Sequence, residues 1–189
     1  ALSEEQGVSS SGIVDYPTTP SIMAAMKAGS VDIYPEYNGT GLVMLGQNPI
    51  SDGAEATARV KELYGPLGMT WLGGFGFANN YGLAMRADRA AELGATSISD
   101  LLPEAENLSI ATEDDFMVRP LDGYEPLTQR YGMGFGDVNV VPLGQRDQVY
   151  EKLINGSVDV AEVYTTDGQI SEYGLVLLED DLEFFPIYQ

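Results

Sequence analysis

The chain contains no cysteine and no histidine. Thiolate and imidazole chemistry are therefore closed to it. It has no disulfide, no Cys- or His-based nucleophile arrangement, and no metal site built on soft ligands. A metal would have to be a hard cation held by oxygen, and the ligand spacing of an EF-hand loop is missing. Positive charge is scarce as well. Nine Lys and Arg stand against 29 Asp and Glu, a formal charge of −20 over 189 residues. That balance argues against binding nucleic acid through its phosphates. No apolar run approaches the roughly 18 residues of a membrane-spanning helix. The lack of cysteine leaves the compartment open, since it suits oxidising and reducing surroundings alike.

The residues that are present suit a folded protein. Hydrophobic side chains make up 44% of the chain, with 11 Tyr and 6 Phe, which excludes acidic disorder. The length fits one large or two small domains. The carboxylates are spread along the whole chain, and adjacent pairs such as Asp114-Asp115 are expected from composition alone. Their number has two readings: a solvated acidic surface of the halophilic kind, or attraction of a cationic ligand.

Periodicity and punctuation predict alternating helices and strands, hence an α/β fold with largely parallel strands. The opening Ala1 to Gly7 reads as the tail of a helix, and both chain ends are abrupt, so the expectation is a fragment. A short strand follows over 7–14. Thr19 is the expected N-cap of a helix over 21–28 that stops at Gly29. Strands are expected at 31–34, 71–72, 81–86, 108–111, 138–141, 158–163 and 175–178. Helices are expected at 54–64, 87–93, 121–131 and 146–154, with a short capped one near 97–102. Gly73-Gly74-Phe75-Gly76 lacks the lysine of a phosphate loop and reads as a turn.

An internal echo is the most informative pattern. Gly29-Ser30-Val31-Asp32 and Gly156-Ser157-Val158-Asp159 each follow a helix, and a Tyr stands five residues after each Asp, at 37 and 164. This places two tyrosines just past strand ends, the edge where open α/β sheets bind ligands. Converging phenol rings suit a quaternary ammonium, which has methyl groups in place of N–H donors and is attracted by π-faces. Arg119 stands out among few cations. It would grip a carboxylate with two parallel hydrogen bonds, or else pair with Asp115 four residues earlier. A carboxylate-based hydrolase remains an alternative and would require two acids with separated pKa values in one cleft.

Four segments carry a family resemblance. They are Asp32-Ile33-Tyr34-Pro35-Glu36-Tyr37-Asn38-Gly39-Thr40, Ser97-Ile98-Ser99-Asp100-Leu101, Tyr164-Thr165-Thr166-Asp167-Gly168-Gln169-Ile170, and Tyr173 to Asp181 continuing to Phe185-Pro186-Ile187-Tyr188. Together they resemble the osmoprotectant-binding proteins of ABC importers, receptors for glycine betaine, choline or proline betaine. The resemblance implies a two-lobed periplasmic-binding-protein-like fold of type II, with the first lobe truncated at both chain ends. The lobes would be 1–78, completed by 186–189, and 79–185. It implies a cage of Tyr37, Tyr81, Tyr164 and Tyr188, with Thr40 and Arg119 on the ligand carboxylate and Asp115 beside Arg119. Asn79 stands where relatives carry Asp, and Asn38 where Thr is usual, a change expected to matter little.

The resemblance further implies an extracytoplasmic receptor that is not an enzyme. It would be a monomer without cofactor or metal that delivers its quaternary ammonium ligand to ABC permease subunits. A permease-fused or sensory domain with the same site is the alternative.

Salt separates the two readings of the acidity. With the carboxylates serving a solvated surface, thermal melts in increasing potassium chloride will show a rising midpoint. A flat or falling midpoint would leave the cation-attracting reading.

Overall fold

In this computed structural model, residues 15–16 and 18–189 are described. The helix tail at Gly7 and the strand over 7–14 lie outside those residues. The chain divides into two compact units, Ala1–Glu36 and Tyr37–Gln189. In the first, α1 (Thr19–Lys27) is capped by Thr18, one residue earlier than expected, through a reciprocal box with Ser21. The box needs a hydroxyl three residues before a second polar side chain, and Thr18 with Ser21 provides that spacing. Val31 to Tyr34 does not form the expected strand. Its Ile33 is 69% exposed, so that side chain gives a strand no buried face.

The second unit opens with a helix the sequence reading missed, α2 (Asn38–Met44), followed by α3 (Gly53–Tyr64), whose first turn is capped by Asp52. Leu42, Ala56, Val60 and Tyr64 bury the contact side of this pair. The Tyr64 hydroxyl donates to the Gly41 carbonyl at 3.0 Å, and Trp71 lies edge-on to Tyr64 with ring centroids 5.5 Å apart. Trp71-Leu72 forms no strand, and Leu72 is 63% exposed.

The rest is a five-stranded sheet between helices. It contains β1 (Tyr81–Arg86), α4 (Ala87–Leu93), β2 (Ser109–Glu113), α5 (Asp114–Val118), α6 (Tyr124–Tyr131) and β3 (Asp137–Val141). It continues through α7 (Arg146–Ile154), β4 (Val160–Tyr164), α8 (Gly168–Glu172) and β5 (Leu175–Leu177). The strand order is β3-β2-β4-β1-β5. β2 runs parallel to β3 and β4, but β1 is antiparallel to both β4 and β5. The sheet is therefore mixed, which corrects the expectation of largely parallel strands. Alternation of elements reveals where the chain turns, not from which end a strand enters the sheet.

Alternate residues feed two cores. Leu83, Met85, Ile110 and Val160 pack with Ile98, Leu101, Phe116 and Leu127 on one face. Ala84, Ala111, Ala161 and Val163 pack with Val149, Tyr150 and Leu153 of α7 on the other. Helix ends follow local signals closely: α4 stops at Gly94 with φ 66°. Gly29 and Gly156 take φ 71° and 79°, and Ser30 and Ser157 donate back to Ala25 and Lys152, both at 2.9 Å. The sequence echo is thus a shared helix-ending motif. The copies then differ, since β4 follows the second, whereas residues 31–36 form no strand or helix.

Asn38 corrects another expectation. It is 1% exposed, and its amide nitrogen donates to Gly53 O and Thr57 Oγ1. Its Oδ1 accepts from Gly39 N at 2.7 Å and Gln189 N at 2.9 Å. One side chain thereby ties α2, α3 and the C-terminal segment. Asn38→Ala strands these groups and will destabilise the protein by about 2–3 kcal/mol in denaturant titration.

Candidate functional site

The cross-strand register builds the centre of the site. Tyr81 at the start of β1 lies directly opposite Tyr164 at the end of β4. Directly opposed residues point to the same face of a sheet. Their ring centroids are 5.0 Å apart, and the Tyr164 hydroxyl donates to the Tyr81 hydroxyl at 3.4 Å. Tyr81 donates onward to Asp115 Oδ2 at 3.3 Å. The two hydroxyls form a line of donors ending on a carboxylate, held against the Phe116 ring at 5.2 Å from Tyr81.

Arg119 follows α5 and brings the third tyrosine in. Its guanidinium carbon lies 4.9 Å from the Tyr81 ring centroid, and Nη2 donates to the Tyr188 hydroxyl at 3.2 Å. Its ion-pair partner is not Asp115. Nε and Nη2 reach the two oxygens of Asp122 at 2.7 Å each, a fork-to-carboxylate geometry. Tyr188 also donates to Asp122, at 2.7 Å. Arg119 Nη1 makes no hydrogen bond among the described residues.

Of the remaining expected residues, Asn79 adjoins Tyr188. Asn79 donates its N–H to Tyr188 O at 2.9 Å, and its side chain accepts from Thr166. Asn80, which the sequence reading passed over, binds Thr165 and Tyr188 through backbone and side chain. Tyr37 caps the start of α2, with its ring 6.5 Å from Phe77, and Thr40 is half-buried in the first turn of α2. Tyr81, Asp115, Arg119, Tyr164 and Tyr188 form one contact set, whereas among the described residues no hydrogen bond joins Thr40 to it.

Besides Asn80, three contributors are not legible in the sequence. Gly39 is one, because a Cβ there would come within 2.5 Å of the Tyr188 ring. The glycine of the Tyr37-x-Gly-Thr segment is therefore a close-approach position. Asp122 is the second, three residues after Arg119. Arg146 is the third: its guanidinium lies 3.8 Å from the Tyr164 centroid and bridges Glu113 and Glu162. Glu162 is fully buried, and burial pushes its carboxyl above the usual range. Nothing local in sequence pairs an Arg with acids 33 and 16 residues away.

The site is electrically neutral at its rings. Burial pushes the phenols of Tyr81, Tyr164 and Tyr188 upward, aided at Tyr81 by the Tyr164 hydrogen bond and at Tyr188 by Asp122. The rings therefore stay un-ionised at neutral pH. Among the described residues no group of three or more carboxylates could hold a metal ion.

A family model described as the substrate binding domain of ABC-type glycine betaine transport systems matches residues 1–189. The chain is 36% identical over 167 residues to the carnitine transport binding protein OpuCC of Listeria monocytogenes, covering 87% of this chain and 53% of that protein. It is 37% identical over 179 residues to the glycine-betaine-binding protein of Pseudomonas aeruginosa, covering 87% and 56% respectively. The chain thus spans about half the length of these curated relatives. A crystal structure of a glycine betaine/carnitine/choline ABC transporter matches at a TM-score of 0.83 and 29% identity, over 99% of this chain and 69% of that one.

The raised phenols predict an alkaline limit. Unfolded tyrosines ionise near pH 10, whereas the folded ones hold their protons higher. Above about pH 10 the unfolded state therefore binds fewer protons, and stability falls as pH rises. Phenolate absorbance will rise in two steps, the exposed tyrosines first and the buried set together with loss of circular dichroism. A single step with the fold intact would contradict the burial.

Proposed function

Because the chain belongs to the family of substrate-binding domains of ABC-type glycine betaine transport systems, we propose that it binds a quaternary ammonium osmoprotectant of the glycine betaine, proline betaine or choline type. The hydrolase alternative falls with the family, whose members bind solute and do not transform it. The reading rests on one observation above all, the convergence of Tyr81, Tyr164 and Tyr188 on Arg119 and Asp115 at the ends of β1 and β4.

The chemistry follows from what such a cation lacks. A trimethylammonium group has no N–H to donate, so hydrogen-bond acceptors alone do not replace its hydration. Neutral aromatic faces do, each contributing about 0.5–2 kcal/mol. Hydroxyls already committed to Asp115 and Asp122 leave the rings as the contact surface. The carboxylate of a betaine would be met by Arg119, whose Nη1 is uncommitted among the described residues, and by Thr40 in the first turn of α2. Tyr37 would complete the cage and Asn79 would border it.

In this reading residues 1–78 with 186–189 belong to one lobe and 79–185 to the other. Solute touching both lobes favours their closed arrangement, and that closure is the signal an ABC permease reads. The working location is extracytoplasmic and the receptor is monomeric. Among the described residues no helix is long and apolar enough to cross a membrane.

Calorimetric titration of the full-length protein with glycine betaine, proline betaine, choline and carnitine tests the reading. Tyr164→Ala will weaken every ligand by about tenfold or more, the equivalent of roughly 1.4 kcal/mol. Arg119→Ala will weaken glycine betaine more than choline. Equal losses would remove Arg119 from the carboxylate, and no heat with any of the four would end the proposal.

A further inference from the structure

One carboxylate oxygen in the cluster has no partner. Asp115 is half-buried in the first turn of α5, and its Oδ2 accepts only the Tyr81 hydroxyl, at 3.3 Å. Its Oδ1 is buried and accepts no hydrogen bond among the described residues. An ionised acceptor taken from water without a donor is costly to keep. The cation four residues onward does not relieve it, because Arg119 gives Nε and Nη2 to Asp122 at 2.7 Å each.

The charges around the rings can be counted from each element. From α5 comes Asp115, and from the segment after it Arg119 and Asp122, which neutralise one another. From β1 and β4 come neutral phenols, Tyr81 and Tyr164. From α7 comes Arg146 on Tyr164, held by Glu113 and Glu162. Of these carboxylates Asp115 alone forms no ion pair among the described residues, at the place where Tyr81 and Tyr164 meet.

We propose that Asp115 is the counter-charge of this site and selects solutes with net positive charge, of the choline type, over zwitterions of the betaine type. The inference rests on the reading of the tyrosine cluster as a quaternary ammonium site and adds which class it prefers. A trimethylammonium charge is diffuse and needs no donor–acceptor alignment, so a nearby unpaired anion attracts it through space. That attraction is stronger among buried rings than in water. A betaine brings its own carboxylate. The carboxylate offsets the pull of Asp115, and it meets an Arg119 whose charge Asp122 already neutralises. Choline carries neither handicap.

Asp115→Asn in the full-length protein tests this, since Asn keeps the shape and removes the charge. The probes are choline, glycine betaine and 3,3-dimethylbutanol, the uncharged isostere of choline. Wild-type protein will bind choline far more tightly than the isostere. In the variant, choline affinity will fall by about tenfold or more and glycine betaine by under about threefold. The ligand-free melting temperature will hold or rise, because the unpaired buried charge is gone. Asp122→Asn gives an independent arm: it frees Arg119 to turn to Asp115, and choline will again lose more than glycine betaine. This second variant carries the test if the first does not fold. Equal losses for the two ligands, or unchanged choline affinity, would overturn the inference. If the wild-type protein binds both ligands but the variants keep their ratio, only the role of Asp115 is lost. If it binds neither, the quaternary ammonium reading is lost with it.

Discussion

The antiparallel pairing of β1 with β4 is the constraint on which the site depends. It sets Tyr81 opposite Tyr164 and Leu83 opposite Glu162. A one-residue slip of β1 would turn Tyr81 to the face opposite Tyr164. It would also lift Leu83 and Met85 out of their core. The register is thus secured by core packing further along the strands, and the tyrosines at the strand ends inherit that precision. Each phenol then has a defined task for its hydroxyl, which fixes the ring planes; on the proposed function this is the preorganisation that keeps the entropy cost of binding low.

Beneath Tyr164 lies a second, more costly device. Arg146 is shared by Glu113 and Glu162, both almost wholly buried, and its planar group stacks on the Tyr164 ring. Buried ion pairs are weak contributors to stability compared with apolar packing. Here the cluster links α7, β2 and β4 at the edge where the tyrosines emerge, and this placement gives it a role in shape more than in energy. Asp167 extends the same network, accepting from the Tyr150 hydroxyl and the Tyr164 N–H.

How much of this could be read from the sequence depended on how local its cause was. The stop of α4 at Gly94 and the matched endings of α1 and α7 were legible, because a helix end is decided within a few residues. Strand direction was not, since the partners of β1 lie some 80 residues further along the chain. The expected strands near Ile33 and Leu72 failed for a related reason: apolar residues make a strand only where a ladder and a core receive them. In the site, tyrosines 81, 164 and 188 are legible in the sequence, but the partner of Arg119 is not. Spacing of four suggested Asp115. The chain after α5 is not helical, so spacing of three to Asp122 won. Asn38 was underrated because its four hydrogen-bond partners come from three separate segments.

Trp71 has a practical bearing on how this molecule can be watched. The sole indole of the chain rests against Gly41 and Tyr64, where α2 meets α3, and not among the phenols at the strand ends. Its emission therefore monitors the seating of α2, the helix whose first turn begins beside Tyr37 and approaches the Tyr188 ring at Gly39. A fluorescence response to solute would register a mechanical adjustment relayed through that helix, not the arrival of the cation itself.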